Sequence, residues 1–285
     1  MILLKRICNV FFLLLLIFTV RSFADWPCRT DLAVPVSTDA GNQWNVRIVS
    51  DGGNGAILAW QDRRNGLNDQ IYLQKMTASG VPLWPEGGIQ LAVTGGFQYY
   101  PQMIADGDGG AFIAWQDNRY GLDYDIFVQH VSSNGSTLWF PNGTLVCNAA
   151  GHQYNPQLTS DGSGGIVVAW QDRRSGQFDI YSQRFDANGQ PQWETNGQVV
   201  CDAANDQFEP KLISDGAGGA VLAWLDYRAG NGFTDVYCQR MLADGTGNFQ
   251  NNGMPVCVAP NTQWNVQLTD DGLGNCLVVW QDRRA

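Results

Sequence analysis

The chain has 285 residues, a formal net charge of −10, and only 17 Lys and Arg against 27 Asp and Glu. A surface so poor in basic residues cannot track a phosphate backbone or an anionic bilayer, which excludes nucleic acid and anionic lipid as partners. Glycine is abundant, at 33 residues, and helical periodicity of three or four residues is absent, which directs attention to strands and turns.

Residues 1–24 read as an export signal. Lys5 and Arg6 precede an apolar run from Val10 to Val20, and Ser22-Phe23-Ala24 supplies the small residues of a cleavage site. That run is too short to cross a bilayer, and no later stretch is apolar enough for a membrane helix. The expectation is a product beginning near Asp25, secreted or at the cell surface, with no integral membrane segment after signal removal. Loss of Lys5, Arg6 and Arg21 leaves 14 basic residues, of which only Arg29, Arg47 and Lys211 fall outside repeated positions.

Trp26 to Asn45 aligns with Trp139 to Asn155, so residues 26–42 read as a stray fourth strand ahead of the first complete unit. From there one phrase recurs five times: Trp60-Gln61-Asp62-Arg63-Arg64, Trp115-Gln116-Asp117-Asn118-Arg119, Trp170-Gln171-Asp172-Arg173-Arg174, Trp224-Leu225-Asp226-Tyr227-Arg228 and Trp280-Gln281-Asp282-Arg283-Arg284. The tryptophans step by 55, 55, 54 and 56 residues. A fixed period of this length marks a repeat architecture, with units at about 43–93, 98–147, 153–201 and 207–257 and an incomplete unit at 263–285.

The third unit is the cleanest. Gln157-Leu158-Thr159-Ser160 is a short extended run, and Asp161-Gly162-Ser163-Gly164-Gly165 has the chemistry of a tight hairpin. Ile166-Val167-Val168-Ala169-Trp170 is a continuous β-branched and aromatic run, a strand to be covered on both faces. A third strand covers Asp179 to Phe185, and Asp186-Ala187-Asn188-Gly189 is a second hairpin turn. A fourth segment runs from Gln192-Trp193 to Val199-Val200-Cys201. Four antiparallel strands per unit predict an all-β fold, a β-propeller of four-stranded blades, about five of them in this chain. The sequence stops at Ala285, just after a second strand, which reads as a piece of a longer protein because unpaired edges would otherwise remain.

Cys147, Cys201 and Cys257 occupy one slot in successive units, too far apart to bridge, and read as small buried hydrophobes. A Cys238–Cys257 bridge within one unit stays open, and no cysteine spacing suggests zinc. The Asp-Gly turns carry one acidic side chain each apart from Asp106-Gly107-Asp108, short of a hard-cation site. No metal and no cofactor are expected.

Strand direction alternates within a blade, so the connections between strands two and three and those between blades emerge on one face. That face gathers the box tails and a recurring aromatic: Trp44, Tyr99, Tyr154, Phe208 and Trp264, each between a Gln and a polar or aromatic residue. Aromatic rings interleaved with amides suit a docking surface for an extracellular glycan or protein. Asp62 with Arg64, Asp117 with Arg119, Asp172 with Arg174, Asp226 with Arg228 and Asp282 with Arg284 read as structural pairs tying connections together. The box tryptophans, with Trp84, Trp139 and Trp193, read as core. Gln74, Gln129, Gln183 and Gln239 read as satisfied structural amides.

Catalytic residues are not evident. His130 fills the slot of Lys75 and Arg184 on strand three, and His152 has no Ser or Asp partner in a recognisable motif. The repeat resembles the Trp-x-Asp-x-Arg, Asp-Ile-Tyr-x-Gln, Gly-x-x-Trp units of secreted bacterial β-propeller proteins of unassigned function, over about residues 26 to 285. Those are often large surface proteins with a C-terminal sorting or anchoring domain. It is only distantly similar to sialidase propellers, whose Ser-x-Asp-x-Gly-x-x-Trp box lies between strands three and four, whereas Asp-Gly-x-Gly here precedes strand two. Their catalytic Arg triad, Tyr and Asp cannot be carried over. The expectation is a non-catalytic extracellular binding or structural module, not an enzyme. The alternative is a glycan-active hydrolase of the sialidase-like propeller type.

Overall fold

The computed structural model describes residues 2–4, 34–272 and 275–284. Apart from Ile2–Leu4, the segment read as an export signal lies outside the described residues, as does Cys28. Strand β1 (Ile2–Leu4) pairs antiparallel with β2 (Val34–Ser37).

Blade one comprises β3 (Gln43–Ser50), β4 (Ala56–Asp62), β5 (Gln70–Met76) and the short β6 (Ile89–Gln90). Blade two follows with β7 (Gln98–Ala105), β8 (Ala111–Asp117), β9 (Asp125–Val131) and β10 (Thr144–Cys147). Blade three is β11 (Gln153–Ser160), β12 (Ile166–Asp172), β13 (Asp179–Phe185) and β14 (Gln198–Cys201). Blade four is β15 (Gln207–Ser214), β16 (Ala220–Asp226), β17 (Asp235–Met241) and β18 (Met254–Cys257), and β19 (Gln263–Asp270) pairs with β20 (Cys276–Asp282). Within each four-stranded sheet the strands lie in sequence order and pair antiparallel. The fold is all-β and of propeller type. Among the described residues no helix is long and apolar enough to cross a membrane.

The core lies between blades. Ile57 and Ala59 of β4, with Trp84 of the same blade, pack with Met103, Ile113 and Trp115 on the facing side of blade two. The alternate residues of β8, Phe112 and Ala114, turn the other way to meet Leu158, Ile166 and Trp170 of blade three. The second strand therefore reads as an unbroken apolar run because its two faces serve two different junctions. Strand β2 covers the open side of blade one through Val36, which packs with Leu58, Trp60 and Met76.

One local feature departs from the sequence expectation. The recurring aromatics do not precede the first strand but lie inside it. Each first strand runs eight residues and changes register between the aromatic and the third residue after it, as between Tyr154 and Gln157. The cause is the residue following the aromatic, which holds a left-handed backbone: φ is 50° at Asn45, 53° at Tyr100, 52° at Asn155, 53° at Glu209 and 53° at Asn265. Such a residue makes a bulge that lets pairing resume on both sides. The bulge turns the aromatic onto the face that carries the connections.

Two polar devices hold each blade. Gln183 donates from Nε2 to Glu194 O (2.7 Å), and its Oε1 accepts the N–H groups of Arg184 and Trp193 (2.9 Å each). Gln74, Gln129 and Gln239 make the same three bonds, so the buried amides bind within their own blade. The turn carboxylates are also committed: Asp161 Oδ1 accepts the N–H of Ser163 and of Gly165, and its Oδ2 meets Arg184 at 2.9 Å. His130 serves the same end in blade two, with Nε2 2.9 Å from Asp106 Oδ2.

Candidate functional site

The box at the end of strand two is a junction. The side chain of Asp172 has no exposed surface; its Oδ2 accepts Trp170 Nε1–H at 2.8 Å and an Arg174 N–H at 2.6 Å. The same Arg174 donates to Asn196 O in the turn before strand four (2.7 Å), approaches Cys147 Sγ of the preceding blade at 3.1 Å and lies 3.8 Å above the Tyr181 ring. Asp62–Arg64, Asp117–Arg119 and Asp226–Arg228 repeat the pairing at 2.7, 2.5 and 2.6 Å. At Asp282–Arg284 the separation is 2.7 Å, with Arg284 mostly exposed. These residues join three connections and two blades and leave no donor or acceptor aimed at a ligand. The cysteine slot belongs to the same junction, and burial pushes the Cys147 and Cys201 thiols up to about 12. Among the described residues all five cysteines are free, Cys238 and Cys257 included.

The five aromatics of the first strands divide into two groups. Trp44 and Trp264 sit under the guanidinium groups of Arg63 and Arg283, at 5.2 and 5.1 Å, and Phe208 packs against Tyr227 at 5.3 Å. Tyr99 and Tyr154, by contrast, are linked into one surface by two rings from the connections, which no sequence motif marks. Tyr124 lies 5.7 Å from Tyr99 and 5.9 Å from Tyr154, and Phe178 continues the row 6.0 Å beyond Tyr154. These four half-buried rings, with Tyr100, line an open cleft of about 460 Å³ between blades two and three. Its polar lining is three amides, Gln116, Asn155 and Gln171.

Each ring is held from behind. The carboxylate of Asp69, fully buried and gripped by Arg63 through bonds of 2.6 and 3.0 Å, accepts the Tyr99 hydroxyl. Burial, then the bond to Asp69, pushes the Tyr99 phenol up to about 12, so it remains a neutral donor across the physiological range. His152 stacks on Tyr154 at 5.1 Å and accepts the Tyr124 N–H at Nδ1 (3.2 Å), which directs its Nε2 towards Asp123, 3.5 Å away. Arg173 lies 5.4 Å over Phe178. The amides are fixed as well: Gln116 Oε1 accepts the Asn155 N–H at 2.9 Å, while Gln171 Oε1 accepts Asn155 Nδ2–H at 2.7 Å and the Glu209 N–H at 3.1 Å. A cleft whose rings and amides are already positioned loses little freedom on binding.

The cleft coincides with the places where the repeat fails. Asp69, Tyr124, Phe178 and Thr234 occupy one slot before strand three, since each carbonyl accepts the N–H of the Gln that opens the next blade. That slot is aromatic only at the cleft. Likewise the bulge residue is Asn in three units, Tyr at position 100 and Glu at position 209. Alignment of the residue before strand three across the units is the sequence signal that exposes this pattern.

Asp125, next to Tyr124, is buried among like charges. Burial first, then the nearby Asp117 and Asp123 carboxylates, push it up to about 6. A carboxyl whose pKa is higher folded than unfolded contributes stability below about pH 4 and loses it as pH rises through about 6. Asp125→Asn is therefore expected to stabilise the protein at pH 8 by on the order of 2 kcal/mol and to have no such effect at pH 4. Urea denaturation at the two pH values checks this, and an equal effect at both would disprove it.

No known protein family matches the chain, and no curated protein does. Solved structures similar to it include a thermostable family-43 glycoside hydrolase, at 12% identity and TM-score 0.47, covering 78% of this chain and 80% of that one. A Hadza microbial sialidase has 14% identity and TM-score 0.46, covering 76% and 46%. An endo-arabinase from Bacteroides thetaiotaomicron has 10% identity and TM-score 0.44, covering 81% and 82%. The names of these structures, a glycoside hydrolase, a sialidase and an endo-arabinase, run against the expectation that the chain is not an enzyme, while the likeness itself concerns the fold. The expectation rested on uniform repetition, and Tyr100, Tyr124, Phe178 and Glu209 break that uniformity on one face.

Proposed function

We propose that the protein is a glycan-active hydrolase of propeller type and that its substrate lies along the cleft between blades two and three. The observation that carries this reading is the row Tyr99–Tyr124–Tyr154–Phe178, with ring-to-ring spacings of 5.7, 5.9 and 6.0 Å, flanked by the amides of Gln116, Asn155 and Gln171. Ring faces cover the apolar faces of sugar rings, and fixed amides offer both donors and acceptors to hydroxyl groups. The shortage of basic side chains speaks against polyanions. An extracellular setting follows from the export signal read at residues 1–24.

The test is a panel of polysaccharides, read first for binding and then for release of reducing ends. Tyr124→Ala with Tyr154→Ala is expected to weaken binding by roughly tenfold or more, the loss of about 1.4 kcal/mol or greater usual for aromatic anchors. Tyr154→Ala alone is expected to leave the unfolding midpoint nearly unchanged, since the ring is half exposed. A folded wild-type protein that neither bound nor cleaved any glycan in the panel would sink the reading.

A further inference from the structure

Glu209 stands out when each bulge residue is compared with the box residue of the neighbouring strand. In blades one and three and in the β19–β20 pair, the bulge Asn donates its side-chain amide to the box Gln of its own unit: Asn45 to Gln61, Asn155 to Gln171 at 2.7 Å, and Asn265 to Gln281 at 2.9 Å. The same Gln oxygens accept the bulge N–H of the following blade, as Gln61 does from Tyr100 and Gln171 from Glu209. Blade four breaks both members of this pair. Its bulge residue is Glu209, and its box Gln is replaced by Leu225, which is buried in the apolar junction with Val266.

The two replacements act together. Leu225 offers no amide, so the Glu209 carboxylate has no hydrogen-bond or ion-pair partner among the described residues, and the side chain is exposed. Its backbone, however, is fixed: the N–H is held by Gln171, whose oxygen also holds the Asn155 amide on the cleft wall. Glu209 also keeps φ at 53°, a conformation Asn tolerates far better than Glu.

We propose that Glu209, which borders the cleft through the bond of its N–H to the cleft residue Gln171, is a specificity-determining residue, an unpaired carboxylate on a fixed backbone that accepts hydrogen bonds from hydroxyl groups of a neutral sugar and repels uronates and sialosides. This rests on the reading of the cleft as a glycan site. A free carboxylate is an acceptor at both oxygens and suits two adjacent hydroxyls. An anionic sugar at Glu209 would meet like charge, and the one basic residue of blade four's box, Arg228, is already committed to Asp226.

The experiment compares the full chain, Glu209→Gln, the double variant Glu209→Asn/Leu225→Gln, and Tyr124→Ala/Tyr154→Ala. Titration calorimetry is run with arabinohexaose, xylohexaose, cellohexaose and hexagalacturonate. The double variant restores the Asn–Gln pair of the other blades: its new box amide is positioned to accept from the new bulge amide and from the Asn265 N–H, so it provides a folded control. The expected result is that the best neutral oligosaccharide binds roughly tenfold more weakly to both Glu209 variants, while hexagalacturonate binds Glu209→Gln more tightly than wild type. Neutral binding that is unchanged in both Glu209 variants but lost in the tyrosine variant would overturn the role of Glu209 and leave the cleft intact. Failure of wild type to bind any neutral hexasaccharide would overturn both.

Discussion

Trp170→Ala is expected to destabilise the protein by about 3–5 kcal/mol, the range for removal of a large buried aromatic side chain. Trp170 has no exposed surface and packs in the junction with Phe112, Val128, Leu158 and Ile166. Two effects add to the cavity. Asp172 Oδ2 loses the indole N–H that it accepts at 2.8 Å, and the turn before strand four loses its floor. At Gly197, with φ at 92°, an added Cβ would lie 2.3 Å from the tip of the Trp170 ring, so the turn backbone rests directly on the indole. Only glycine allows both that approach and that φ. Gly197→Ala should therefore destabilise through the same contact from the other side, and combining it with Trp170→Ala should cost less than the two losses added, because the clash disappears with the ring. Urea denaturation of the three variants measures this. Full additivity would mean that the turn and the indole are not coupled.

The blades are readable in the sequence because their causes are local. Ile166 to Trp170 is β-branched or aromatic almost throughout, and Asp161-Gly162 and Asn188-Gly189 punctuate it with residues that accept the turn backbone. The face that carries each connection follows from strand alternation alone. The start of the first strand is harder to read because Asn155 and Pro156 look like strand breakers, whereas the left-handed Asn155 makes a bulge within a continuing strand. The site is less legible for a different reason. Tyr99 and Tyr154 are visible as a recurring aromatic, but what turns them into a surface is Tyr124 and Phe178, which lie in connections of unequal composition and length. Their spacing is set by the distance between blades, a quantity no single unit encodes. The same is true of Glu209, whose freedom depends on Leu225, a residue on the neighbouring strand.

Asp172→Ala is expected to cost about 3 kcal/mol, towards the lower end of the range for breaking a buried ion pair, because Arg174 keeps partial access to water and its bond to Asn196 O. The loss has three sources: the guanidinium is left without its carboxylate over the Tyr181 ring, the indole N–H of Trp170 is left without an acceptor, and the Arg174 backbone N–H loses Asp172 Oδ1 at 2.9 Å. Arg174→Ala spares the other two bonds but leaves the fully buried Asp172 carboxylate without its cation, so its cost is expected in the same range. In the double variant the penalty of an orphaned charge is absent, and a double-mutant cycle should return a coupling on the order of 1–3 kcal/mol. The fifth box provides the comparison. Asp282 and Arg284 have the same sequence and a 2.7 Å contact, but Arg284 is 56% exposed, so Asp282→Ala should be clearly better tolerated than Asp172→Ala. Equal losses at the two positions would mean that local hydrogen bonding within the box, and not burial of the ion pair between blades, sets the strength of the motif.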